Sequence, residues 1–218
     1  MRMPLALVLV FLSLAVFFPG NGFCGEEVLY GFEKGDEGWG IPDWAYEMAS
    51  YVCRHAAVSN DVASEGASSL KLEVDFPGKG WGAAIVEGEA PFDWTKYSTL
   101  SCDAYIPEGA PPKIFCRPIV KVGNEWKWTE MARPLALKPG EWITVSANLK
   151  PGSRDWKRVE MVEKVESDGK IHGKVRKEIV IDITDEFRAD IKAIDVRFES
   201  DRKEYKGPVY LDNIRVAE

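Results

Sequence analysis

Ser69-Leu-Lys-Leu-Glu-Val-Asp-Phe76 is the stretch from which the fold can be read. In an extended chain side chains alternate with a period of two, so Leu70, Leu72, Val74 and Phe76 point one way and Ser69, Lys71, Glu73 and Asp75 the other. One face is made for a core and the other for water. The same stripe recurs at Leu100, Cys102, Ala104 and Ile106, and again at Ile194, Val196 and Phe198.

Outward from these stripes, the chain from Val28 onward is a series of short β-rich runs punctuated by Gly, Pro, Asn and Asp, with almost no helical periodicity. That rhythm predicts an all-β fold, a β-sandwich or jelly roll of two antiparallel sheets. The predicted strands are Glu27 to Phe32, Ser69 to Phe76, Gly82 to Glu87, Thr99 to Ile106, Ile114 to Val122, Trp126 to Met131, Trp142 to Leu149, Glu178 to Ile183, Ala193 to Glu199 and Val209 to Val216. Asp185 to Lys192 reads as a single helical turn with Phe187 and Ile191 on one side. Lys150 to Lys177 carries nine Lys or Arg against five Asp or Glu and the turn Ser167-Asp-Gly-Lys170. It reads as a basic, exposed insertion in the form of a protruding hairpin or a solvated loop.

The chain has 218 residues, 45% of them hydrophobic and 29% charged, a balance that excludes collagen, coiled coil and wholesale disorder. Arg2 followed by the apolar run Leu5 to Phe18 and then Pro19-Gly-Asn-Gly22 has the layout of a secretory signal peptide, and the run is too short for a confident membrane span. Residues 1–25 are therefore assigned to the signal and 26–218 to one sandwich domain. The expectation is an exported protein, periplasmic or extracellular, and a monomer. Cys24 allows two outcomes: lipidation, which would anchor the chain to a membrane, or ordinary cleavage, favoured by Phe23 standing where a small residue is wanted. Loss of residues 1–25 removes Arg2 and no carboxylate, taking the net charge from −7 to −8. An acidic surface argues against nucleic acid as a partner.

None of Cys53, Cys102 and Cys116 lies in a CxxC pair or at zinc-ligand spacing from a histidine. Cys102 and Cys116 sit on two runs joined by a Pro-rich loop and, as a hairpin, would form either a disulfide or a pair of buried thiols. Motifs of catalysis are scarce. There is no GxSxG, HExxH or Walker loop, and the two histidines are His55 and His172. Gly78-Lys-Gly-Trp-Gly82 follows a strand without opening a helix and reads as a turn. No pair of carboxylates stands out by context as a glycosidase pair.

The aromatics carry more information. Of eight Trp, Trp94 and Trp142 sit among strand-start residues and are expected in the core. Trp39, Trp44, Trp81, Trp126 and Trp128 occupy loop and strand-edge positions, and Trp126 and Trp128, two apart, project to one side of a strand. Opposite the core stripes lie Ser101, Asp103 and Tyr105, and then Phe115, Arg117, Ile119 and Lys121. A strand with that second set on its outer face looks like one wall of a binding groove. An indole can stack on the apolar C–H face of a β-linked hexose while Arg, Lys or Tyr bond its hydroxyls. Three such platforms at about 1.5 to 2 kcal/mol each give a dissociation constant of roughly 0.1 mM.

Leu29-Tyr-Gly-Phe-Glu33, Gly38-Trp39, Gly66-Ala-Ser-Ser-Leu-Lys-Leu72, Asp93-Trp-Thr-Lys-Tyr-Ser-Thr-Leu-Ser-Cys-Asp-Ala-Tyr-Ile-Pro107, Gly140-Glu-Trp142 and Gly207-Pro-Val-Tyr-Leu-Asp-Asn-Ile214 occur in this order. The series resembles carbohydrate-binding modules with a galactose-binding-like jelly roll, of the kind that bind β-1,4-mannan or glucan. The resemblance implies a non-catalytic glycan-binding protein, not an enzyme, with a polysaccharide or oligosaccharide as partner. It implies ligand contacts from Trp39, Trp81 and Trp126 or Trp128, with Arg117 and Lys121 as neighbours and Tyr105 as a further polar candidate. It also implies a structural Ca2+ held by Glu33, Asp212 and the carbonyl of Ser69, in the irregular oxygen geometry that calcium accepts. Two other classes stay open: a jelly-roll polysaccharide lyase or glycoside hydrolase, with Arg117, Tyr105 and Lys121 as the lyase-like group, and a protein-docking module whose aromatics are interface anchors.

Overall fold

The computed structural model describes residues 25–165 and 171–218. The proposed signal segment, Cys24 and the Ser167 to Lys170 turn lie outside the described residues. The strands in chain order are β1 (Glu26–Tyr30), β2 (Cys53–Ser59), β3 (Ser69–Pro77), β4 (Trp81–Phe92), β5 (Thr99–Tyr105), β6 (Ile114–Val122), β7 (Lys127–Met131), β8 (Leu135–Ala136), β9 (Trp142–Asn148), β10 (Trp156–Val165), β11 (Ile171–Ile181), β12 (Ile191–Asp201) and β13 (Glu204–Ala217). Two one-turn helices, α1 (Asp43–Tyr46) and α2 (Asp185–Arg188), interrupt them.

The strands form two sheets paired antiparallel. The first runs β2-β3-β13-β5-β9, with β1 on the end of β13; the second runs β11-β10-β7-β6-β12-β4, with β8 on β6. The apolar stripes meet between the sheets: Leu70, Leu72, Val74 and Phe76 of β3, with Leu100, Cys102, Ala104 and Ile106 of β5 and its end, share one core with Ile194, Val196 and Phe198 of β12 in the opposite sheet. Each large aliphatic or aromatic side chain removed from water there contributes about 1.5 to 3 kcal/mol, which is what fixes the register of each strand. Thr184 caps α2 by accepting from the Phe187 N–H at 3.1 Å. Phe187 is thereby seated against Trp156, with ring centroids 6.3 Å apart.

Several sequence expectations change. Cys102 and Cys116 are not on one hairpin: β5 belongs to the first sheet and β6 to the second, and both cysteines are buried free thiols, as is Cys53. Trp94 is fully buried as expected, but Trp142 is half-buried and lies against Tyr105 on the outer face of the first sheet. The tryptophan that does fill the second core position is Trp156, whose indole N–H donates to the Asn148 carbonyl at 2.9 Å. The basic segment is the β10–β11 hairpin, and it extends the second sheet by two strands.

Candidate functional site

Strand alternation dictates the outer face of the second sheet. With Ile194, Val196 and Phe198 inside, β12 turns Asp195, Arg197 and Glu199 outward; with Cys116 and Val120 inside, β6 turns out Arg117, Ile119 and Lys121. β7 adds Trp128 and Glu130, β10 adds Lys157 and Val159, and β11 adds Arg176 and Glu178. With Trp81 at the start of β4, these side chains, except the fully buried Asp195 and Ile119, line a groove of about 770 Å³ that touches all six long strands of the sheet.

The second wall comes from the segment between β1 and β2. It is welded to β4 through Val52 N to Ala83 O at 2.6 Å and Ala83 N to Ser50 O at 2.8 Å. Ala45 and Tyr51 bury against Ala83, Ile85 and Ile119, making a small second core on the outside of the sheet. That packing holds Trp44 edge-on to Tyr51 at 5.2 Å and edge-on to Trp128 at 5.7 Å, and Tyr51 edge-on to Trp81 at 6.1 Å. The groove is thus bordered by a continuous series of rings, Trp128, Trp44, Tyr51 and Trp81, each in the perpendicular arrangement that aromatic quadrupoles favour.

Its floor is charged and internally paired. Glu130 accepts from Arg117 Nη1 at 3.0 Å, Arg197 Nη2 at 2.8 Å and Trp128 Nε1 at 3.3 Å, and Lys157 Nζ lies 3.3 Å away. Glu199 bridges the same two arginines. Lys121 pairs with Glu87 and lies 3.5 Å from Asp195, and Lys157 lies 2.9 Å from Glu178. Apart from Glu87, which is partly exposed, and Glu178, which is half exposed, these groups are almost wholly buried, and burial of that kind is tolerable only because the charges are matched. Burial pushes the Glu130 carboxyl up, but Arg197, Arg117, the Trp128 N–H and Lys157 outweigh it and hold the group below its ordinary value. Asp195 goes the other way: burial, reinforced by Glu87 beside it and only partly opposed by Lys121, raises it well above the usual carboxylate range.

The structure brings four of the predicted ligand residues together: Trp81, Trp128, Arg117 and Lys121 all line the groove. It separates three others. Trp39 is in the core, edge-on to Tyr30 at 5.4 Å and Phe32 at 6.1 Å, and it packs so closely on Gly88 that a Cβ there would come within 2.3 Å of its indole nitrogen. Trp126 does not share a face with Trp128, because it precedes β7 in a tight turn with φ 51°, and its half-exposed ring is not part of the groove wall. Tyr105 is on the first sheet, against Trp142 and Tyr210, so the Arg117, Tyr105 and Lys121 group does not assemble.

The residues proposed for calcium hold a loop. Glu33 accepts from the N–H groups of Ala67 and Ser68 at 2.9 and 2.8 Å; Asp212 accepts from Ser64 and Glu65 N–H at 2.7 and 3.3 Å, and the Ser69 hydroxyl donates to the Val62 carbonyl. All three pin the connection between β2 and β3. Glu33 Oε1 and Asp212 Oδ2 each take two or more of these bonds, so a cation there would compete with the loop amides. Among the described residues no three His, Cys, Asp or Glu side chains are grouped to hold a metal.

Sequence reasoning passed over Tyr51, Glu130, Lys157, Arg197 and Glu199, and it gave Trp44 no role. The signal for Arg197 and Glu199 was present: once Ile194, Val196 and Phe198 are inside, their neighbours must be outside. Trp44 and Tyr51 depend on a segment that folds back over the sheet, which no local pattern reveals.

A family model described as mannanase, galactose-binding domain-like matches residues 30–162. Among solved structures, the carbohydrate-binding module CBM27-1 of Caldicellulosiruptor saccharolyticus, in complex with mannohexaose, is 22% identical, with 88% of this chain and 96% of that chain covered and a TM-score of 0.52. A CBM28 module described as specific for non-crystalline cellulose is 16% identical over 88% of this chain and 96% of its own, with a TM-score of 0.52. The module CtCBM11 is 18% identical over 90% and 97%, with a TM-score of 0.51. At these identities the likeness is one of fold. No sequence among the curated proteins matches the chain.

Proposed function

Because the chain belongs to the mannanase galactose-binding-like domain family, we propose that it is an exported, non-catalytic protein that holds a β-linked polysaccharide of the mannan or glucan type in the groove of its second sheet. The observation that carries this reading is the pairing of an aromatic border with a charge-matched floor. Trp44, Trp81 and Trp128, with Tyr51 buried behind them, offer apolar ring surface for pyranose rings, while Arg117, Lys121, Glu130 and Arg197 offer donors and acceptors for hydroxyls. Since every cation on the floor already has a carboxylate partner, the floor leaves no unpaired charge that would demand an acidic sugar.

The state of the carboxylates speaks against catalysis. A glycosidase needs one carboxyl that keeps its proton near neutral pH to give to the leaving oxygen. Glu130 is held ionised by two guanidiniums and an ammonium, and Glu199 is engaged by the same two arginines. Asp195 is the one floor carboxyl pushed upward, and it is fully buried beneath Lys121 and Glu87 rather than presented to the groove. A protein-docking role is the weaker reading, since the aromatics border a trough rather than a flat patch.

Affinity electrophoresis against mannan, β-glucan and xylan tests the proposal. Retardation by mannan or glucan is expected, with no release of reducing ends; unretarded migration on all three would end it. The mass of the mature protein tests export: cleavage near Cys24 is expected, and an intact N-terminus in the exported fraction would contradict the signal assignment.

A further inference from the structure

The β10–β11 hairpin is joined to the sandwich only at its root. Trp156 and Lys157 pair with Met131 and Glu130 of β7, and from Arg158 outward β10 pairs with β11 alone. A two-stranded ribbon is marginally stable by itself, so its face composition is informative. In an antiparallel pair, residues directly opposite share a face. Lys157, Val159 and Met161 therefore share one with Val180, Glu178 and Arg176. Lys157, Val159, Arg176 and Glu178 are already walls of the groove, and Met161, 60% exposed, is the next residue out on the same face. Lys157 ties this face to the floor through Glu130 and also reaches Glu178 across the hairpin. The trough does not stop at the sandwich; it runs onto the ribbon.

The geometry points to the groove face of the β10–β11 hairpin, Val159, Met161, Arg176 and Glu178, as an added binding subsite that takes the continuation of a glycan chain already seated between Trp81 and Trp128. The inference rests on the glycan-binding reading of the groove. Three observations favour this occupant. The face is continuous with the groove, and five strand spacings from β4 to β11 give a span on the order of 24 Å, which calls for an extended polymer rather than a monosaccharide. The residues combine apolar surface from Val159 and Met161 with Arg176 and Glu178 as hydrogen-bonding ends, the mixture that a pyranose ring requires. Finally, β11, which supplies Arg176 and Glu178, falls beyond residue 162, where the family match ends, while Val159 and Met161 lie within it.

The test is calorimetric titration with linear β-1,4-manno-oligosaccharides and cello-oligosaccharides from disaccharide to hexasaccharide. The wild type is compared with Met161→Ala and Met161→Ser, at an exposed position outside the groove lining, with melting curves confirming that each variant folds. In the wild type, affinity is expected to keep rising up to the longest oligomer. In the variants, hexasaccharide affinity is expected to fall about tenfold, toward the trisaccharide value, while trisaccharide affinity stays within about twofold. Equal weakening at every length would overturn the subsite by making the hairpin a mere support for the floor, and so would no change at any length. Wild-type binding that saturates at the trisaccharide would overturn it while leaving the groove reading intact. No binding by the wild type at all would remove both.

Discussion

Both sheets carry an aromatic cluster on their outer faces, yet they are built differently. On the first sheet Tyr105 lies against Trp142 at 5.3 Å and Tyr210 at 5.9 Å, on a face whose charged neighbours, such as Lys71 with Asp61 and Glu73, are partly exposed ion pairs. On the second sheet Trp128, Trp44, Tyr51 and Trp81 are joined edge to face around buried, mutually paired charges. The second has walls: the segment containing α1 on one side and the β10–β11 hairpin on the other. Exposed rings by themselves do not define a site. Rings whose orientation is set by a second core, over a floor of charges that cannot relax into water, have the preorganisation that recognition needs.

That contrast can be broken at several points. The largest effect is expected away from either face, at Trp39. Trp39→Ala should cost about 3 to 5 kcal/mol of stability, the usual range for truncating a buried aromatic, with glycan affinity unchanged once corrected for folded fraction; denaturant melts and calorimetry separate the two. A loss of affinity in fully folded Trp39→Ala would return this residue to the ligand.

Next comes Glu130, where four groups of the groove meet. Glu130→Gln leaves Arg117 and Arg197 short of a counter-charge, and removal of one partner from a buried ion pair costs about 3 kcal/mol or more. The pH dependence follows from the direction of its shift. The folded-state value is depressed below the ordinary 4.5, so the stabilisation is fully present above pH 4.5 and is lost as pH falls through the lower folded value. Melting temperature against pH should therefore converge for wild type and Glu130→Gln as the solution is acidified below pH 4.5. Curves that stay parallel would show that the charge of Glu130 is not what holds the floor.

Smaller, but more diagnostic of function, is the pair Trp128→Ala and Trp142→Ala. The first should weaken glycan binding by about 2 kcal/mol, roughly thirtyfold, and the second should leave it within twofold. Similar losses from both would erase the distinction between the two faces. The smallest expected effect is Trp126→Ala, which removes an exposed turn residue and should change neither affinity nor melting temperature by more than about 0.5 kcal/mol.

The sandwich was legible because its stripes are clean. Leu70, Leu72, Val74 and Phe76 alternate without interruption, and β6 has the predicted ends, Ile114 and Val122. β2 was not legible, since Cys53-Arg-His-Ala-Ala-Val-Ser59 alternates weakly and is an edge strand needing little apolar surface. β10 was legible only as far as the choice between a protruding hairpin and a solvated loop, for a related reason. Its outward positions carry Lys157 and Val159 on the groove side and Arg158 and Glu160 on the other, so no apolar stripe marks the strand. The site divided along the same line. Arg117 and Lys121 could be placed from the alternation of a single strand, whereas Trp39 and Trp44, five residues apart, take opposite fates. Gly88 leaves room for Trp39 inside, while Ala45 and Tyr51 anchor the next turn outside against Ile85 and Ile119. Those are contacts between distant segments, and nothing in the local pattern encodes them.

The central claim is that the aromatic groove of the second sheet, and not the aromatic cluster of the first, holds a neutral glycan. It is tested most directly by titrating mannohexaose while following tryptophan fluorescence in the wild type, Trp81→Ala, Trp128→Ala and Trp142→Ala. A saturable spectral change is expected in the wild type and in Trp142→Ala, and its loss or strong weakening in Trp81→Ala and Trp128→Ala. A response that survives in both groove variants and disappears in Trp142→Ala would contradict it.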